Sequence, residues 1–395
     1  MKRRDFVIKG SIASVAVASS TTALANTLNF TNAANKLTIG IIGTGDRGSG
    51  LIPLINEIDN FKVVACCDTL PFRLENGLSK APKKAKGYAD YRKLLDNPDI
   101  DAVLISTPFN THSKIALDAL DAGKHVYCEK TMAKGLDGIQ HLIQKTKNSN
   151  KIFQTGHQYH SSRLYTHVVD LIKNGKVGKI TSFDCQWNRN GNWRRPVPKP
   201  ELEKVINWRM YREFSGGLVA ELCSHQIDFV NWVLDATPNK VMGIGGIDYW
   251  KDGRETYDNV NLMYEYPNGI KAKFTCLTSN AKDGYQIIVK GDKGTIIMGT
   301  RNAWFYPEGT KNKKIGTVDG VAGATVTFDK NKGYPIKVEH QNPSKQALQD
   351  FKDSITLNSS PISNITTGAN TAIAVQMGLE AMHTESIVKW PSKIS

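Results

Sequence analysis

Leu37–Ile42 (LTIGII) is an unbroken apolar run, and Gly43-Thr44-Gly45-Asp46-Arg47-Gly48 follows it at once. The apolar residues of Leu51–Ile58 then suggest a helix. A GxGxxG spacing is weak alone. Between a strand and a helix it constrains the chain to a strand–turn–helix unit built to approach a pyrophosphate. Gly43 permits the tight turn, Gly45 lets the backbone come close to the phosphates, and Gly48 permits close helix–strand packing. The helix N-terminus then offers N–H groups and a positive dipole end to the ligand. Thr44, Asp46 and Arg47 fill the remaining turn positions and count with the glycines as candidate cofactor contacts.

A second apolar run, Phe61–Cys67, ends at Asp68, 20 residues after Gly48. A carboxylate there can accept hydrogen bonds from a ribose 2′-OH and would repel a 2′-phosphate, which favours NAD over NADP. Arg73 lies close enough in sequence to leave NADP open. Ala102–Ser106 and Lys124–Cys128 are further strands, with a helix over Ser113–Ala122 between them. This alternation calls for a parallel sheet with right-handed crossovers. Ligands of such sheets bind at the carboxyl ends of the strands. That rule brings Thr107, Pro108, Asn110 and His112, together with Glu129 and Lys130, beside the cofactor.

Residues 1–25 read as an address. The pair Arg3-Arg4 within RRDFVIK is followed by a small-residue apolar run and Ala23-Leu24-Ala25, an A-x-A cleavage pattern. The order matches a twin-arginine export signal, which implies a periplasmic protein without a membrane anchor. The formal net charge is +14, and residues 1–25 supply +3 of it. The other basic residues are interspersed with acidic ones, and no nucleic-acid-binding motif accompanies them. A solvated basic surface is therefore expected, with no nucleic-acid partner. The six cysteines form no CxxC pair, so no metal site is expected.

The stretches GTGDRG (43–48), STPFNTHSKIALDALDAGKHVYCEK (106–130) and GGLVAELCSHQIDFVNWVL (216–234) together resemble the Gfo/Idh/MocA family of glucose–fructose oxidoreductase and inositol dehydrogenase. The resemblance implies that Lys130 is the active-site lysine of a Glu-Lys-Pro motif, here with Thr131 in place of the proline. It also implies that His225 is a catalytic histidine preceded by an acidic residue four positions earlier, here Glu221 where Asp is more usual. Val219–Leu234 reads as one helix, so residues four apart share a face. His225 then suits removal of a proton from a sugar hydroxyl, with Lys130 on the same oxygen and Glu221 orienting the ring or meeting another hydroxyl. Taken singly, His225 reads better as a core histidine on an amphipathic helix.

His157, Gln158 and Tyr159, after a strand over Ile152–Thr155, are candidate substrate contacts. So are Trp193 and Arg194 in an insert that also holds Trp187, Arg195, Trp208 and Arg209. Aromatic faces suit the C–H faces of sugar rings, though any one of these residues could equally pin the loop. Beyond residue 236 short strands take over. Ile270–Cys276 alternates at period two, and Pro267-Asn268-Gly269 reads as a hairpin turn. Lys311–Lys332 reads as a surface loop, and Gln346–Ile355 and Gly368–His383 as helices.

The expected fold is an α/β Rossmann dinucleotide-binding domain (36–156) and an α+β domain (157–340) with a mainly antiparallel sheet. The resemblance implies that this sheet is open, that C-terminal helices (341–395) pack back on the first domain, and that the protein is a homo-oligomer, dimer or tetramer, through the open sheet face. The expected activity is NAD(P)-dependent oxidation or reduction of a small carbohydrate. The alternatives are a glycoside hydrolase that oxidises its substrate transiently without net cofactor consumption, and a non-catalytic sugar-binding protein.

Overall fold

Buried runs joined by amphipathic helices build the first sheet in the computed structural model, which describes residues 36–309 and 333–392. The export signal and the loop expected over Lys311–Lys332 lie outside the described residues. The strands are β1 (Leu37–Ile42), β2 (Phe61–Cys67), β3 (Lys86–Tyr88), β4 (Ala102–Ile105), β5 (His125–Cys128) and β6 (Phe153–Thr155). They pair in parallel in the order β3-β2-β1-β4-β5-β6. The order reverses between β1 and β4, which opens a crevice at their carboxyl ends. The helices between them are α1 (Asp46–Asn56), α2 (Pro71–Lys80), α3 (Tyr91–Leu95), α4 (His112–Asp121) and α5 (Leu136–Lys147).

The chain then forms α6 (Arg163–Lys173), β7 (Ile180–Trp187), α7 (Glu203–Ile206), α8 (Ser224–Leu234), β8 (Lys240–Gly246), β9 (Asn259–Glu265) and β10 (Lys271–Leu277). It continues with β11 (Tyr285–Gly291), β12 (Gly294–Met298), β13 (Ala303–Pro307), β14 (Tyr334–Ile336), α9 (Pro343–Thr356), α10 (Ile365–Thr384) and β15 (Val388–Lys389). The second sheet runs β14-β13-β12-β11-β7-β10-β9-β8-β15. It is mixed rather than wholly antiparallel, because β7 enters its middle and runs parallel to β10. The hairpin between β9 and β10 turns at Asn268 (φ 61°) and Gly269 (φ 73°), as its turn residues require.

One face of the first sheet, with Ile39, Ile41, Cys66 and Leu104, packs on Leu51, Ile52 and Ile55 of α1 and on Ala347, Leu348 and Phe351 of α9. The other face, with Ile42, Val103, Ile105 and Val126, belongs to a core that continues into the second sheet through Val260, Phe274 and Ile287. Thus α9 lies against the first sheet, while α10 packs on α5, α8 and β8. Among the described residues no helix is long and apolar enough to cross a membrane.

The β1–α1 turn depends on two glycines. Gly43 has φ 89°, and a Cβ there would lie 2.7 Å from the Ser106 carbonyl oxygen. At Gly48 a Cβ would overlap the Gly43 carbonyl oxygen and press on Ser106 Oγ. Both contacts involve the turn itself, so relief requires α1 to move off β1. Gly48→Ala is expected to lower stability by about 1–3 kcal/mol and to abolish dinucleotide binding, read by thermal unfolding and by nucleotide titration.

Candidate active site

The carboxyl ends of β1, β2 and β4 open into a cleft of about 730 Å³. Gly43, Gly45, Asp46, Arg47, Asp68, Thr107 and Pro108 line it. A Cβ at Gly45 would meet only the guanidinium tip of Arg73, at 3.9 Å, so ligand atoms can approach this backbone closely. No side chain caps α1 at Gly45, which leaves its first N–H groups for an anion. These features fit a dinucleotide. Thr44 and Gly48 stand behind this surface: the Thr44 hydroxyl donates to the Arg73 carbonyl at 2.9 Å.

Asp68 does two jobs. It lines the cleft beside Thr69 and Arg73. Its carboxylate also accepts the N–H groups of Thr44 and Leu70, each at 2.9 Å, which fixes the glycine turn against the end of β2. Asn110 and His112 are placed differently from the loop residues before them. The Asn110 N–H donates to the Phe214 carbonyl at 3.2 Å. The buried His112 ring lies 2.9 Å from the carbonyl oxygens of both Thr107 and Thr131, joining the two loops that follow β4 and β5. Burial pushes its pKa down.

A smaller chamber of about 230 Å³ adjoins the cleft. Lys130, Glu221 and His225 line it together, with Arg47, Thr107, His112, Glu129 and Gln158. The helix expected over Val219–Leu234 is two pieces: Val219–Cys223 winds as a π-helix and α8 begins at Ser224. π turns recur at functional sites because they free backbone groups from the i→i−4 ladder. Here the Lys130 ammonium donates to the carbonyls of Glu221 (3.1 Å) and Ala220 (3.4 Å) within that turn. Its Nζ is also 3.9 Å from Glu221 Oε2. Arg209 Nε donates to the same oxygen at 2.8 Å. Burial raises the Glu221 pKa, but Lys130 and Arg209 outweigh burial and hold it at about 2. His225 is held well below its usual range, first by burial and then by Lys130, His157 and Arg47. The ring is therefore neutral at rest, with one nitrogen unprotonated and able to take a proton, while Lys130 disfavours its keeping the charge.

The Arg47 side chain takes a role that its turn position did not signal. Its Nε donates to Glu129 Oε1 at 2.6 Å and its Nη1 to Ser344 Oγ at 3.0 Å. The second Glu129 oxygen accepts the Lys130 N–H at 3.1 Å. The Lys130–Thr131 peptide is cis.

Trp187, Trp193, Trp208, Arg189, Arg195 and Arg209 line the opposite wall of the cleft. The Arg189 guanidinium lies 5.3 Å and 5.8 Å from the ring centroids of Trp187 and Trp193. Arg189 escaped the sequence reading, although it stands two residues beyond Trp187 and so on the same side of an extended chain. Arg194 turns away to Glu203 and Asp252, while Arg195 pairs with Asp46. Tyr159 stacks on Tyr165 (4.5 Å, 2°) and approaches the His225 ring at 5.0 Å. His157 is only 1% exposed and lines neither cavity. Among the described residues no cluster could hold a metal ion.

Two family models match the chain. Residues 37–157 match the NAD-binding Rossmann fold of the oxidoreductase family, and residues 169–390 match its C-terminal alpha/beta domain. The chain belongs to the Gfo/Idh/MocA oxidoreductase family. Its relatives include the myo-inositol 2-dehydrogenase of Thermotoga maritima, 28% identical over 53% of this chain and 58% of that protein. The inositol 2-dehydrogenase of Salmonella typhimurium is 33% identical over 50% of this chain and 55% of that protein. The 2,7-anhydro-N-acetylneuraminate hydratase of Escherichia coli is 27% identical over 65% and 66%. The chain thus spans between about half and two thirds of the length of these relatives. The aldose–aldose oxidoreductase of Caulobacter crescentus, solved with glycerol, shares the fold over 90% of this chain and 99% of that one (TM-score 0.72, 19% identity). A levoglucosan dehydrogenase solved with NADH and levoglucosan covers 90% and 100% (TM-score 0.70, 19% identity).

The Glu221 carboxyl lies lower in the folded family member than its usual 4.5. Its contribution to stability is therefore complete above about pH 4.5 and is lost as the pH falls toward 2. Glu221→Gln is expected to remove about 2 kcal/mol of the acid dependence between pH 6 and pH 3, read as a flatter difference between urea unfolding at the two pH values.

Proposed function

We propose that this protein oxidises a hydroxyl, or reduces the corresponding ketone, of a sugar or sugar derivative with a tightly held nicotinamide dinucleotide. The observation that carries the reading is the meeting of Lys130 and His225 in one chamber that opens beside the dinucleotide cleft. The dinucleotide, when bound, supplies the hydride acceptor or donor. His225 takes the hydroxyl proton. Lys130, anchored on the carbonyls of the π turn, donates to the same oxygen as negative charge develops on it. Glu221, held ionised between Lys130 and Arg209, keeps the lysine positioned. Gln158 lines the chamber and can meet a further hydroxyl.

The activities of the relatives, on inositol, aldoses and levoglucosan, support a polyol or sugar as substrate. Trp193 and its neighbours supply apolar faces for a ring. Asp68 at the ribose end favours NAD, and Arg73 beside it keeps NADP in play. The twin-arginine pattern read from residues 1–25 supports a periplasmic location. A retained cofactor must then be regenerated on the protein, by a second substrate or by return of the hydride. The second reading follows from that return: a redox-neutral lyase or glycoside hydrolase. The relative named as a hydratase favours it, because hydration involves no net oxidation.

Protein lacking residues 1–25, purified without added nucleotide and denatured, is expected to release stoichiometric NAD(H), identified by mass spectrometry. An empty protein that also binds neither NAD nor NADP would sink the enzyme reading. His225→Asn is expected to keep the cofactor and to lose at least about a hundredfold in hydride transfer. Exchange of a substrate C–H with solvent during turnover separates the redox-neutral route from simple oxidation.

The open face of the second sheet supports a homo-oligomer. Met242 and Ile244 of β8 and Met263 of β9 are 54%, 79% and 38% exposed on one face, with Met242 directly opposite Met263. Ile244→Lys is expected to shift the protein toward monomer in size-exclusion chromatography with light scattering, with the bound cofactor unchanged.

A further inference from the structure

Two buried imidazoles stand together, and the mechanism above uses only one. The rings of His225 and His157 meet edge to face with centroids 5.8 Å apart. Nδ1 of His225 and Nε2 of His157 are both sealed from solvent, and neither has a hydrogen-bond partner among the described residues. An unsatisfied buried polar atom costs about 1–3 kcal/mol, so packing alone would favour apolar side chains at these positions. A single water held between the two rings would satisfy both nitrogens.

Beyond His157 the polar path continues without a break. Its Nδ1 lies 3.2 Å from Thr155 Oγ1, which lies 2.6 Å from Ser363 Oγ. The Thr155 N–H also donates to the Ser363 carbonyl at 2.8 Å, which fixes the two hydroxyls together. Ser363 belongs to the loop between α9 and α10; it is itself 2% exposed, and its neighbour Ile362 is 49% exposed. The path therefore starts in the reaction chamber and ends at a buried hydroxyl beneath that loop.

We propose that His157 relays the proton that His225 takes from the substrate, passing it through Thr155 and Ser363 to solvent at the α9–α10 loop. This rests on the proton-accepting role given to His225. With Nδ1 sealed, Nε2 is the nitrogen that meets a substrate hydroxyl. The substrate O–H bond breaks as a bond forms between that proton and His225 Nε2. The His225 Nδ1 proton then moves across the bridging water to His157 Nε2. The His157 Nδ1 proton goes to Thr155 Oγ1, whose own proton passes to Ser363 Oγ, which releases one to water. The electron pair leaves separately with the hydride, so the path carries protons only. At rest each member donates toward the surface: His225 and His157 both carry their proton on Nδ1.

The surroundings suit a transient charge on His157. Burial disfavours its charged form most strongly, with Lys130 and His160 adding to that, while Asp228 and Glu129 favour it. Asp228, three residues after His225 on α8, is itself held by His160 (2.8 Å) and by the Thr371 hydroxyl (3.0 Å). The charge therefore crosses His157 and does not remain there. The need for such a route is also local. His225 is 5% exposed, and cofactor and substrate would close its cavity. A trapped imidazolium beside Lys130 would oppose the next proton transfer.

The test uses protein labelled with ¹⁵N at its nine histidines and loaded with NAD, read by long-range ¹H–¹⁵N spectra. The relay requires His157 as the Nδ1–H tautomer, with Thr155→Val shifting that signal. Finding Nε2–H in the unsubstituted protein overturns the proposal. With myo-inositol as the probe substrate, Thr155→Val and Ser363→Ala are each expected to lower kcat about tenfold. KM should stay unchanged and the solvent isotope effect should rise. Unaltered kcat and isotope effect in both variants would also overturn it, whatever happens to stability. The tautomer result stands even if myo-inositol is not turned over, an outcome that counts against the substrate reading instead.

Discussion

The Arg47–Glu129 ion pair is the contact through which the two halves of the site are joined. Arg47 comes from the first turn of α1, Glu129 from the end of β5, and Ser344 from the start of α9. Glu129 also receives the Lys130 N–H, and the Lys130 ammonium reaches the π turn that carries Glu221. Charge-assisted contacts thus run from the dinucleotide turn to the acid–base residues. A buried pair of this kind stabilises little by its own formation, and its loss is costly because it strands a charge. Its value here is registry: the glycine turn and the chamber of Lys130, Glu221 and His225 are held at one fixed separation.

The same economy of carboxylates shapes the whole cleft. Arg47, Arg195 and Arg209 each face an acidic partner, namely Glu129, Asp46 and Glu221. Paired cations keep their geometry while contributing a muted field. The exposed Arg189 instead lies over tryptophan faces, where an aromatic quadrupole attracts it without neutralising it. The wall facing the dinucleotide turn thus combines flat apolar surface with cations held over it, Arg189 on Trp187 and Trp193 and Arg209 on Trp208.

Much of the first domain was legible because its signals are local. The apolar run of β1, the glycine spacing and Asp68 each act within one strand–turn–helix unit, and the structure brings all three to one crevice. The hairpin at Asn268-Gly269 was legible for the same reason: its φ angles are a property of those residues. The break in the helix at Val219–Cys223 was not. A π turn differs from an α turn by one inserted residue, and hydrophobic periodicity over so short a stretch does not resolve it. The parallel β7–β10 pair was hidden too, since strand neighbours 90 residues apart leave no local pattern.

By itself the sequence determined the strand–turn–helix units, the position of the glycine turn, and the identity of Lys130, Glu221 and His225 as one candidate set. Only tertiary structure decided what each side chain faces. Arg47, read as a cofactor contact, turns to Glu129. Arg194 turns to Glu203 and Asp252, and His157, read as a substrate contact, is sealed against His225. The physical reason is that backbone conformation is set largely by near neighbours. The partner of a charged or ring-nitrogen group is set by whichever distant segment the packed core brings within hydrogen-bonding reach.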